Sequence, residues 1–137
     1  MGFARAAELN HYPSPAHILE LREKLGLSPD QVRAVRASFD RMQGQAKTLG
    51  AQLVAQERDL DAAFHAGTLT PAQLSAQTEA LGALHGRLRA VHLAAHLEMR
   101  SVLTSPQIAT YSPCAGTRTE PPLRTLATGM ARIPVRI

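Results

Sequence analysis

Three side chains within one short stretch of this chain have the chemistry and spacing to hold a metal ion. His92 and His96 are four residues apart, so on a helix they stand one above the other and can share a cation between their imidazoles. Met99, three residues on, lies on the same side and offers a soft thioether, and His85, two turns earlier, extends the row. Imidazole suits zinc, nickel and copper, while a thioether tilts a site toward copper. Two or three ligands leave the shell open. His17 and Glu20, one turn apart near the amino terminus, are the expected completing pair, with His11 or a second copy of the chain as other sources. Histidine and methionine at a packing margin also serve as plain amphipathic filler, and that alternative stands beside the metal reading. No glycine-rich phosphate loop, nucleophile elbow or HExxH pair occurs, and the carboxylates are scattered rather than paired, so no enzyme is expected.

The elements that must position these residues announce themselves through a repeated phrase. Leu27-Ser28-Pro29-Asp30-Gln31, Leu69-Thr70-Pro71-Ala72-Gln73 and Leu103-Thr104-Ser105-Pro106-Gln107 each place a glutamine three residues after a hydroxyl. In such a capping box the hydroxyl oxygen accepts the N–H of the third helical residue, whose side chain reaches back to the cap. Proline at the first helical position of the first two copies fits, because its missing N–H has no partner there anyway. From Ser28, Val32, Val35, Phe39, Met42, Ala46, Leu49, Leu53, Leu60 and Phe64 recur at helical spacing until Gly67. A second stripe, Leu74, Leu81, Leu84, Leu88, Val91, Ala95 and Val102, follows the second phrase. The pattern predicts long helices over 28–66 and 71–103, joined by a short turn and therefore antiparallel. A shorter helix is expected from Pro15 to about Leu25, capped by Ser14, and a final one from Thr104 that Ser112-Pro113 should stop.

The fold class is thus all-α: a long antiparallel helical hairpin with a short helix at each end, its apolar stripes too wide for one hairpin to cover, so a cradle-like homodimer is expected. Residues 1–13 read as an irregular segment and 14–111 as the domain. Residues 112–137, punctuated by proline and glycine without a sustained period, read as a disordered or vector-derived tail. The net charge of +4 hints at nucleic acid. Its location removes the hint: Arg118, Arg124, Arg132 and Arg136 sit in the tail, and the domain is nearly neutral, so no nucleic-acid partner is expected. The single cysteine, Cys114, allows neither an intrachain disulfide nor a thiolate metal site. No stretch nears the roughly 20 apolar residues of a membrane span.

A hairpin bracketed by LTxxQ-type phrases, with the histidine-bearing run Leu88-Arg89-Ala90-Val91-His92-Leu93-Ala94-Ala95-His96-Leu97-Glu98-Met99 leading into the last phrase, resembles the Spy/CpxP family of periplasmic proteins. Its CnrX-like and ZraP-like heavy-metal branch is the nearest in flavour. The likeness covers about residues 11–111. Two departures are that the last copy shifts its proline by one position and that the tail after Tyr111 matches nothing in the family; His96 and Met99 also lie three apart where those relatives space such a pair by four. The resemblance implies a periplasmic, metal-responsive protein of envelope stress or heavy-metal resistance. It also implies binding of zinc, nickel or copper through His92, His96 and Met99, and a membrane signalling protein as a possible partner. The same likeness leaves a second reading open, an ATP-independent chaperone holding unfolded periplasmic clients without metal. Arg33, Arg36, Arg41 and Lys47 would then line the client surface through their apolar stems and charges. An export signal or anchor outside this chain is expected.

Overall fold

The computed structural model describes residues 3–115, and every regular element among them is a helix. They are α1 (Arg5–Glu8), α2 (Pro15–Glu20), α3 (Pro29–Ala66), α4 (Pro71–Val102) and α5 (Ser105–Ala115). The three phrases begin α3, α4 and α5. Ser28 Oγ accepts the Gln31 N–H at 3.2 Å while Gln31 Oε1 accepts the Ser28 N–H at 3.0 Å. Thr70 and Gln73 repeat the exchange at 3.2 and 2.9 Å, and Thr104 and Gln107 at 3.5 and 2.9 Å. Each box satisfies donors that a helix start otherwise leaves to water. Gly67 ends α3 with φ of 65°, a left-handed geometry that glycine adopts without a Cβ clash.

The long helices run in opposite directions, since Ser38 meets Glu98 and Gln31 meets Val102 across the pair. At their open end, α2 and α5 close over a core of Ile18, Leu25, Val35, Met99, Leu103 and Tyr111. Leu81, Leu84, Leu88 and Ala95 continue the buried stripe along α4. A reciprocal amide pair locks this end. Gln31 Nε2 donates to Gln107 Oε1 at 2.8 Å and to the Val102 carbonyl at 2.9 Å. Gln107 Nε2 donates back to Gln31 Oε1 at 3.1 Å and to the Leu25 carbonyl at 3.3 Å. Each glutamine caps its own helix with its oxygen and ties two elements together with its nitrogen.

Three boundaries differ from expectation. The helix predicted to reach Leu25 ends at Glu20; Leu21–Gly26 continue as turns, closed by Leu27 N–H bonding Arg22 O at 3.0 Å with Gly26 at φ 59°. Those turns bury Leu25 and leave Arg22, Glu23 and Lys24 outside. The amino-terminal segment contains one helical turn, α1, which packs on α4. Helix α5 passes through Ser112-Pro113 to Ala115. A proline this close to a helix end removes one backbone donor with only the last turn still to form. The expectation of a disordered tail over 116–137 lies outside the described residues.

Candidate metal centre

His92 and His96 occupy successive turns of α4, and each anchors one ring nitrogen on a backbone carbonyl. His92 Nδ1 lies 2.8 Å from Leu88 O, and His96 Nδ1 lies 2.8 Å from Tyr12 O. A carbonyl only accepts, so each Nδ1 donates there, and in the neutral imidazole Nε2 is the nitrogen left to ligate. This is the support that metal-ligating histidines use, the carbonyl fixing the orientation of the ring. As a donor set, two neutral imidazoles one helical turn apart fit part of the shell of a borderline divalent ion.

The other expected ligands occupy separate places. Met99 is fully buried within the core cluster. His17 sits half-buried on α2 with Nδ1 3.4 Å from the Tyr111 hydroxyl, and Glu20 is exposed at the end of the same helix. His85 is exposed two turns before His92. Among the described residues no three His, Cys, Asp or Glu side chains gather closely enough to hold an ion unaided.

The surroundings of the pair contain residues that no sequence pattern marked. The Phe3 ring stacks on His92 with centroids 5.4 Å apart and planes 15° from parallel. Tyr12 presents its carbonyl to His96 and its ring to the Arg100 guanidinium, 4.7 Å from the ring centroid. On the side of α4 that meets α3, Glu98 accepts from Ser38 Oγ at 2.7 Å and from Arg41 at 2.7 and 2.8 Å. The Ser38 hydrogen bond first, and then Arg41, hold its carboxyl below the ordinary value of 4.5. Of the four cations expected to line a client surface, Arg41 is therefore engaged by Glu98 and Arg33 by Asp30, while Arg36 and Lys47 are exposed. Phe3 carries no periodic signal in the sequence. Tyr12 gave only the hint that Pro13 follows it, which favours an extended backbone with its carbonyl free to accept.

The described residues thus form an all-helical domain with cap-defined long helices and a carbonyl-braced histidine pair on α4. Residues 3–109 match the heavy-metal resistance family, and the chain belongs to it, in agreement with its likeness to the Spy/CpxP-like heavy-metal branch. No curated protein and no solved structure matches the chain. No helix among the described residues is long and apolar enough to cross a membrane.

Proposed function

We propose that this protein is a non-enzymatic, metal-responsive component of heavy-metal resistance in the bacterial periplasm, working as a homodimer. The observation that carries the reading is the pair of free Nε2 atoms on His92 and His96, each set by a carbonyl on Nδ1. Zinc, nickel or copper is the expected ion, and since His17 and Glu20 do not gather with the pair within one chain, the remaining ligands come from a second copy. Bound there, the ion supplies a crosslink between turns of α4 and whatever completes its shell. A membrane signalling protein is the natural reader of that change. Calorimetric titration of Zn²⁺, Ni²⁺ and Cu²⁺ into the wild type and a His92→Ala/His96→Ala double variant tests the site. Loss of binding in the variant is expected; equal affinities would dismiss it.

A second reading rests on a different observation. The turn-side half of the long helices exposes Val54 and Phe64, 50% and 60% accessible, next to Arg58. Near mid-length, a shallow groove of about 550 Å³ runs between Leu49 and Val91, with Arg87 at its edge. Such a surface fits weak capture of unfolded apolar segments. Suppression of client aggregation in the presence of a chelator, unchanged in the double histidine variant, would favour this chaperone activity over the metal role.

A further inference from the structure

The amino-terminal segment does more than precede the fold. Residues 92, 96 and 100 follow one another at four-residue spacing on a single face of α4. Each is held by the same short segment: Phe3 stacks on His92, the Tyr12 carbonyl takes the His96 N–H, and the Tyr12 ring underlies Arg100. Beside the segment, Ala6, Ala7, Asn10 and Tyr12 share an open pocket of about 420 Å³ with Leu93 and Leu97. His96 itself, bonded to the Tyr12 carbonyl, is only 3% exposed. An ion bound to its Nε2 must keep room for the ligands or waters that complete its shell, and the closed arrangement leaves almost none.

The covering element has little of its own to hold it. Helix α1 is four residues long and buries none of its own side chains. A single turn does not persist alone in water, so it stays formed only while docked. The segment then passes through His11 at φ 60°, a left-handed geometry that costs a side chain bearing a Cβ.

We infer that residues 3–12 are a displaceable strap over the histidine pair, docked on α4 when the protein is metal-free and lifted when a divalent transition ion takes His92 and His96. The inference rests on the proposed metal role of those two histidines. It makes the strap the part of the molecule that reports occupancy, since lifting it uncovers Leu93 and the inner side of α4. Binding then draws on the fraction of molecules already open, and the apparent affinity falls by that fraction.

The test uses the full chain and Zn²⁺ alone, with calorimetry for affinity and amide hydrogen exchange for the strap. Phe3→Ala removes the stacking contact and should bind Zn²⁺ about fivefold more tightly than wild type. Phe3→Leu, which keeps an apolar side chain, should fall between. Equal helical circular dichroism across the series separates a loosened strap from an unfolded protein. In the wild type, saturating Zn²⁺ should speed exchange of the Leu9, Asn10 and Tyr12 amides at least tenfold. If the double histidine variant loses binding while Phe3→Ala changes neither affinity nor exchange, the strap is overturned and the metal site stands. If neither wild type nor Phe3→Ala binds Zn²⁺, the metal reading falls and the strap's role falls with it.

Discussion

The two halves of the long helical pair are made alike and finished differently. At the open end, Val35 on α3 and Met99 on α4 are fully buried beneath α2 and α5. Toward the Gly67 turn the same stripes continue in the sequence, yet no residue between Ser38 and Leu81 is buried. Phe64 is 60% exposed and Leu74 37%. Two helices alone cover only a narrow seam, so full burial needs a third layer. The open end has one in α2 and α5. The turn end has none among the described residues, which is the physical argument for a second copy or a bound client there. Truncation makes the contrast measurable. Met99→Ala should cost about 2–5 kcal/mol in denaturant unfolding, the range for emptying a core site. Val54→Ala should cost under about 0.5 kcal/mol in a dilute monomer. Equal costs would mean that the turn end is as well packed as the base, and a Val54 cost that grows with protein concentration would show that a second copy covers it.

A substitution in the amide lock probes what closes the base. Replacing Gln31 with alanine removes half of the capping box and leaves the Gln107 amide and Val102 carbonyl without their partner. The expected loss is about 1–3 kcal/mol, and a Gln31→Ala/Gln107→Ala cycle should be clearly non-additive. Additive losses would reduce the pair to two independent caps.

Residue periodicity made the helices, their starts and the Gly67 stop legible, because caps and stripes are local signals written within four residues of one another. The lock was not legible. Each glutamine's oxygen already had an explanation in its own cap, and only the tertiary fold shows where the two nitrogens go. The candidate site divides in the same way. The four-residue spacing of His92 and His96 is a helix property and could be read, whereas the Phe3 and Tyr12 contacts depend on how an irregular segment crosses α4. Met99 shows the limit of face arguments, since it is taken into the apolar core while His96, also buried, turns to the Tyr12 carbonyl.

At the turn end the matching local device is the Thr70 cap, where exposure is high and little else holds the start of α4. Thr70→Ala should cost about 1 kcal/mol in unfolding free energy, and Thr70→Ser should restore most of it. A loss well above that would show that the cap also supports a contact across the turn end, weakening the view of that end as held by local structure alone.

The smallest effect belongs to Glu98, the ion-paired position between the two regions. Its carboxyl is held below 4.5 by Ser38 and then by Arg41, so the folded state binds its proton less readily than the unfolded chain does. A group of that kind contributes its stability above the unfolded value and loses it as pH falls through the folded one. Wild-type stability should therefore be insensitive to Glu98 from pH 7 down to about 5 and decline below the ordinary carboxylate range. Both partners are substantially exposed, which keeps the contribution under about 1 kcal/mol even at neutral pH. Glu98→Gln retains an acceptor for Ser38 but no charge, so it should unfold slightly more easily at pH 7 and track wild type near pH 3. Parallel curves for the two proteins across that whole range would show that the carboxylate is a solvated surface group, with the seam between the helices held by apolar contacts alone.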